Sequence, residues 1–582
     1  TLVAAIQLRQ RQAALSAKPA AKAVSGTIQG TGYTGVTNTN RGLCSYLASK
    51  GGIVIVTNSL FQLDRVLSTI QGHHTSIAGL DEYTWFRQRY EKGNPDETAF
   101  FLLTDATIRR WCGARWRIGA SRRVQAAAAL SELQARRMAN DPGSDSAPRW
   151  LGMVDTVAGA PQSDIYGNLS FLTPISELAL DQVTKEEAQA YAGFRERYQS
   201  RWRNFFDPVG GTIHTSGNKL SMDITVLPLI EGSEYNEMLA FTGEQQFSVD
   251  AADPGSKSLL HFILAIDMKT RQMRQLGTFA ARTAPRVGAN GLGWIGKWVS
   301  VQLEDGPFWK DLANHSRKGE GDAEDFVEDN FHRIPVLTRV DVRNPFKMTA
   351  FLAAFRAFLD QTSPGMLAWE NHTHLEQTYV RVGLTEKTRR AMKKDTFRNF
   401  ALYYHVAPTR LTLSLREDLI KKTLDPQPQP AGSAKDDESG DGIQNPPKWQ
   451  GKSVGLRLTD GALPHMRNLF QDNMTSAQQW RSWNNLHILN EWRRNLGVAD
   501  ALGYHEQHWH TRLTCPGGGQ YQWNEEFRTY ESTVFGHPAR PKNPDILMTS
   551  PLANLQEIGL GITFEEDGLR ARTEILRKPQ PD

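Results

Sequence analysis

The chain has 582 residues, 39% of them hydrophobic and 22% charged, enough for two to four domains with a sizeable core. Lys+Arg 67 against Asp+Glu 63 leaves a net charge of +4, which argues against a protein whose whole surface grips nucleic acid. No stretch reaches the roughly 18 apolar residues that cross a bilayer, and Cys44, Cys112 and Cys515 stand too far apart, and are too odd in number, for a disulfide framework or a metal knuckle.

From the N-terminus, the first clear element is Gly52 to Thr57, which reads as a buried strand. Asn58-Ser59 then predicts a helix cap, and Leu60, Leu63, Val66 and Leu67 share one helix face. Phe101-Leu102-Leu103 predicts a strand. Asp105 stands at the cap position of a helix carrying Ile108 and Trp111. Between Arg109 and Arg137 lie eight arginines and a single acid, Glu132, with Trp111 and Trp116 interleaved. That composition suits an anion-binding surface, with Arg115, Arg117, Arg122 and Arg123 as its candidates and a polyanion as partner; a solvated helix face is the plainer reading.

Thr184 to Glu187 is a capping box. Behind it Tyr191, Phe194, Tyr198, Trp202 and Phe205 form one aromatic stripe, the spacing of a packed helix face. Ile213 to Val226 reads as a hairpin. Gly291 to Gly296 is a literal GxGxxG, but the alternating residues after it predict a strand where a dinucleotide site needs a helix. Asn344-Pro345 opens a helix with Phe351, Leu352, Phe355 and Leu359 inward.

His372, His374 and Glu376 follow at alternate positions. On one strand they share a face, which could offer two imidazoles and a carboxylate to zinc; a polar outer face is the competing reading. Arg410 to Ser414 predicts another strand, running into a helix with Leu419, Ile420 and Leu424. Asp425 to Pro447, rich in Pro, Gly, Ser and Asp, reads as a disordered insertion at 425–447. Leu456 to Asp460 is a strand opening a helix with Leu463 and Met466. His505 and His508 are spaced by three and fail the HExxH pattern. Cys515 has His537 as its one nearby base in sequence, a weak basis for a nucleophilic dyad. Ile562 to Ile575 is a second hairpin, with Asp567-Gly568 at its turn.

These elements repeat. Leu67 matches Leu424, Asp105 matches Asp460 and Leu220 matches Leu569, in the same order and at offsets of about 350 residues. The expectation is α+β: two divergent copies of a unit with mostly antiparallel sheet covered by helices, at 1–235 and 236–582. The first copy looks truncated at its N-terminus, which would place Thr1 inside a larger precursor.

Trp294 to Val299, Gly52 to Leu67, Asp81-Glu82-Tyr83 and Leu103-Thr104-Asp105 carry a resemblance. Over about half of its length the chain resembles a family of bacterial domains of unknown function in exported or membrane-anchored proteins. The resemblance implies a periplasmic or cell-envelope location and an envelope component or protein as partner, and brings no catalytic residues. The expected function is a non-enzymatic structural or binding protein without a cofactor. The alternatives are a metal-dependent hydrolase using zinc and a polyanion-binding module.

Overall fold

The computed structural model describes residues 2–579 except 18–19, 40, 139–148, 158–159, 179, 202–207, 228–241, 244, 248–257, 284–290, 319–322, 393–397, 426–448, 510, 545–553 and 566–567. Thus Trp202, Phe205, His510 and all of the predicted insertion after Asp425 lie outside the described residues.

The first part of the chain runs α1 (Leu2–Ser16), β1 (Lys22–Ile28), β2 (Thr31–Thr37), β3 (Cys44–Lys50), β4 (Ile53–Thr57), α2 (Leu60–Ile70), α3 (Asp81–Arg89), β5 (Ala99–Leu103), α4 (Asp105–Cys112) and α5 (Ala114–Met138). A small sheet, β6 (Val154–Val157), β7 (Ala160–Ser163) and β8 (Gly167–Asn168), precedes α6 (Lys185–Arg201). Next come β9 (Val209–Ser216), β10 (Lys219–Val226), β11 (Leu260–Ala265), α7 (Arg271–Thr283), β12 (Ile295–Leu303), α8 (Pro307–Lys318), α9 (Ala323–Asn330), β13 (Val336–Val342) and α10 (Pro345–Thr362). They are followed by β14 (Leu367–His374), β15 (Gln377–Leu384), α11 (Glu386–Ala391), β16 (Ala401–Ala407), β17 (Arg410–Ser414), α12 (Glu417–Leu424), β18 (Val454–Thr459), α13 (Ala462–Arg494) and α14 (Ala501–Trp509). Short strands β19 (Tyr521–Asn524), β20 (Thr529–Ser532), β21 (Gly536–His537) and β22 (Arg540–Pro541) make a second small sheet. The hairpin β23 (Leu555–Glu565) and β24 (Gly568–Arg577) ends the fold. The class is α+β.

Two compact units emerge, and they cut across the expected boundary at 235/236. One comprises Thr1–Lys92, Leu102–Pro208 and Ile488–Leu513; the other comprises Gly93–Phe101, Val209–His487 and Thr514–Asp582. The physical reason is strand pairing. Hairpin β9–β10 joins the second unit because β10 pairs antiparallel with β24 along its whole length, from Lys219 opposite Leu576 to Val226 opposite Leu569. Arg570 grips Asp223 across this seam through both carboxylate oxygens, with Nε–Oδ1 at 2.8 Å, and Arg572 adds a 2.9 Å bond.

In the first unit β1 to β4 form an antiparallel meander. Helix α2 lays Leu63 and Leu67 on its Tyr46, Ala48 and Ile55 face, while Val66 points to solvent. Ser59 caps α2, its hydroxyl accepting from the Gln62 amide. The cap of α4 is Thr104, and Asp105 is the first helical residue.

The second unit is built on a 13-stranded sheet in the order β14-β15-β16-β17-β13-β12-β11-β18-β23-β24-β10-β9-β5. Near β17 it is covered on both faces, as alternation requires. Leu411 and Leu413 face Met348, Phe351 and Leu352 of α10, while Leu337 of β13 lies with Leu419, Ile420 and Leu424 of α12. The GxGxxG residues are a turn at 291–294 that runs into the first two residues of β12, and Trp294 is buried against Phe351.

The order of elements runs in parallel in two stretches. A helix, a four-strand antiparallel meander and a second helix occur as α1, β1–β4, α2 and again as α10, β14–β17, α12, the latter with α11 between its second and third strands. In both meanders the first turn holds two residues at positive φ, Gln29-Gly30 (49° and 69°) and Leu375-Glu376 (46° and 63°). The run β18-β23-β24-β10-β9-β5 also reads alike from its two ends, a hairpin beside a single strand on either side of the β10–β24 seam.

Candidate functional site

The hairpin β14–β15 holds the predicted metal residues. His372 and His374 do share a face. Glu376 does not belong to their strand: with φ of 63° it sits in the turn, because Leu375-Glu376 is the two-residue link to β15. His372 stands opposite Tyr379, the two rings stacked at 5.5 Å, and its Nε2 lies 3.4 Å from Glu370. His374 Nε2 is 2.7 Å from Asp425 Oδ1. Around them runs a polar seam between sheet and helix α12. The Tyr379 hydroxyl donates to Glu417 at 2.6 Å, Lys421 pairs with Glu417 at 2.9 Å, and Arg381 donates to Glu370 at 2.9 Å. The Tyr379 hydrogen bond, then that of Lys421, holds the Glu417 carboxyl below its ordinary range; Arg381 does the same for Glu370. Each carboxylate is therefore already neutralised. Among the described residues no three His, Cys, Asp or Glu side chains are grouped to hold a metal.

The arginine run divides in two. Arg122 is buried and binds Glu187 through two 2.9 Å bonds, its guanidinium over the Tyr166 ring at 4.4 Å. Burial pushes the Glu187 carboxyl up, but the Arg122 hydrogen bonds, the Thr184 amide and the Arg122 charge together outweigh it and the net is low. Arg123 donates to the Thr173 carbonyl at 3.0 Å. Those two side chains serve the fold, which withdraws Arg122 from any solvent-facing anion surface. Arg115 and Arg117 are exposed, although Arg115 donates to the Leu178 carbonyl and Arg117 lies over Phe194. With Arg109, Arg110, Trp111 and Trp116, also exposed, they keep the basic and aromatic character that the sequence showed.

The thiol of Cys515 is buried with hydroxyl partners, Ser532 at 3.1 Å and Ser482 at 3.6 Å. His537 is buried with its ring against Phe527 and its Nε2 3.9 Å from Glu531. His505 is core: it stacks flat on Trp509 at 5.2 Å, and burial lowers its pKa.

Three features escaped the sequence reading. One is a buried polar seam across β18, β11 and β12. His261 stands opposite both Gln302 and Arg457. Its Nδ1 lies 3.2 Å from the Gln302 amide, and its ring meets Trp449 edge-on at 4.8 Å. Arg457 is held by Glu557 through bonds of 2.9 and 2.7 Å. Burial, then the nearby positive charges of Arg339 and Arg457, push His261 down to about 3. Strand β11 reads simply as an apolar run, so nothing in it announced this partner set. A second feature is an open groove of about 660 Å³ along α5, lined by Ala128, Ala129, Leu133 and Trp150 with Glu132 and Arg136 at its rim. The third is a run of exposed apolar side chains along one stretch of the first unit: Ile53 and Val56 of β4, Phe61, Val66 and Ile70 of α2, and Ile77.

No protein-family model, no curated protein and no solved structure matches this chain.

Proposed function

We propose that this chain is a non-enzymatic, envelope-associated structural or binding protein, built from two divergent copies of one α+β unit and working through broad surfaces. The observation that carries the reading is the contrast between its reactive and its exposed groups. The histidines, carboxylates and thiol that could do chemistry are engaged by neighbours that hold the fold together. The side chains left to solvent on the first unit include, besides the arginines of α4 and α5, the aliphatic and aromatic Ile53 and Val56 of β4 and Phe61, Val66 and Ile70 of α2. Where exposed apolar side chains meet in one patch, they mark a protein-binding face. The parallel order of elements supports the two-copy reading. The location rests on the family resemblance; no helix among the described residues is long and apolar enough to cross a membrane.

A photo-reactive side chain at position 61 tests this in cells. One discrete crosslinked protein is expected, and none with the same group at Lys92. Two outcomes would replace the reading. Zinc binding abolished by His372→Ala with His374→Ala would put the hydrolase first. Salt-sensitive retention on heparin, lost on replacing Arg110, Arg115 and Arg117 with Ala, would put the polyanion module first; the exposed Arg109 to Arg117 cluster is what favours it.

A further inference from the structure

Strands β4 and β17 hold the same station, each the last strand of a four-strand meander and each followed at once by a helix. Their outer edges differ. β17 is paired on both sides, with β16 and with β13. Among the described residues β4 pairs only with β3.

The side chains report the same difference. In β17 Leu411, Thr412 and Ser414 are buried; in β4 Ile53 and Val56 are each 52% exposed. Helix α2 presents Leu63 and Leu67 beside β4 much as α12 presents Ile420 and Leu424 beside β17. In the second unit Leu337 of β13, opposite Ser414, completes that layer. Next to Thr57 no described strand pairs with β4, and Leu63 and Leu67 are enclosed by their own cluster.

The sequence of β4 is Ile53-Val54-Ile55-Val56-Thr57, β-branched at every position and without charge. β-branched residues favour the extended backbone. Edge strands that must stay unpaired carry lysine, proline, a bulge or an inward charge, and β4 has none of these. Its backbone N–H and C=O groups form a template for one more strand.

We propose that the outer edge of β4 receives an antiparallel strand from a partner polypeptide, an extended segment of the β13 type. The pairing of β13 with β17 defines its chemistry. The residue opposite Thr57 is aliphatic, as Leu337 is opposite Ser414. The residue opposite Ile55 is uncharged, because Ile55 belongs to the core where β17 has Thr412 facing Arg339. Backbone hydrogen bonds supply affinity and the alternate side chains supply selectivity. The proposal names the partner class for the binding reading above and rests on it.

The probe is a labelled peptide with the sequence of residues 334–343 carrying Arg339→Val, titrated into the full chain. Saturable binding is expected, with new hydrogen-exchange protection confined to residues 53–57. Val56→Lys, at an exposed position, weakens binding by about tenfold or more, while Val124→Lys on α5 leaves it unchanged. The same peptide with Leu337→Pro does not bind. Absence of binding to folded protein, or protection elsewhere than β4, overturns the proposal. Dimerisation of the protein alone, lost in Val56→Lys, also overturns it by giving the edge to a second copy. A discrete crosslink from position 61 with no peptide binding leaves the binding function standing and removes only the strand acceptor.

Discussion

His261 has a burial that only a neutral imidazole tolerates. Its ring is enclosed by Gln302, Trp449 and two strands, and both Arg339 and Arg457 raise the local potential. Its pKa falls from 6.5 to about 3 on folding. Between those values the unfolded chain binds a proton that the folded chain does not, so stability rises with pH across the window. The contribution is whole above pH 6.5 and is lost as pH falls toward 3, at up to about 1.4 kcal/mol per pH unit. Asp223 and Glu187, whose carboxyls are held low, add their own loss only further into acid, below the usual carboxylate range. In urea unfolding between pH 7 and 4.5, His332 and His505, whose pKa values burial also lowers, add to the same slope, so His261 is isolated by comparison with a variant. His261→Gln should flatten the stability–pH curve in that window, whatever it does to stability at pH 7. Parallel curves for the two proteins would mean that the imidazole is not held neutral by the fold.

At the level of elements, the sequence spoke where local rules decide. Ser59 and Asn344 cap their helices as their residue types imply, and Thr184 with Glu187 closes a reciprocal capping box. Leu63, Leu67, Ile420 and Leu424 are buried as their spacing requires. Val66 shares that spacing and is exposed, because a half-covered helix buries a narrower stripe than its sequence offers. Pairing partners were not legible, since β10 and β24 are brought together by folding and nothing local in either marks the other. The expectation that Glu376 shares a strand with His372 and His374 is overturned for a related reason. Leu375-Glu376 lacks the Asn-Gly signal of a two-residue turn, so Glu376 read as strand. Both residues nonetheless adopt left-handed backbone, which costs an ordinary side chain roughly 1–2 kcal/mol each. Leu375→Asn with Glu376→Gly should therefore stabilise the protein by about 1–2 kcal/mol against urea. A neutral or destabilising result would show that Leu375 or Glu376 makes compensating contacts worth as much.

Across the whole molecule, the meeting of β10 with β24 decides what can be separated. The boundary expected from the sequence falls at 235/236, yet the β9–β10 hairpin, which precedes that boundary, lies in one sheet with strands that follow it. Eight facing residue pairs join them, from Lys219 opposite Leu576 to Val226 opposite Leu569, and at the centre Asp223 is enclosed by Arg570 and Arg572. Burial alone would raise that carboxyl; the Arg570 hydrogen bond, then Arg572, brings it low, so the cluster is charged and paired at neutral pH. A protease site inserted after residue 235 and cut in the native protein should consequently not release the halves, which should co-elute at the mass of the intact chain. Asp223→Arg replaces the shared carboxylate with a third guanidinium facing two others, and breaking a part-buried pair in this way costs about 3–5 kcal/mol. In that variant the cut halves should separate on size exclusion, and more readily at low salt, where repulsion among the three cations is least screened. Co-elution of the Asp223→Arg halves under all salt conditions would locate the cohesion of the molecule outside the β10–β24 seam.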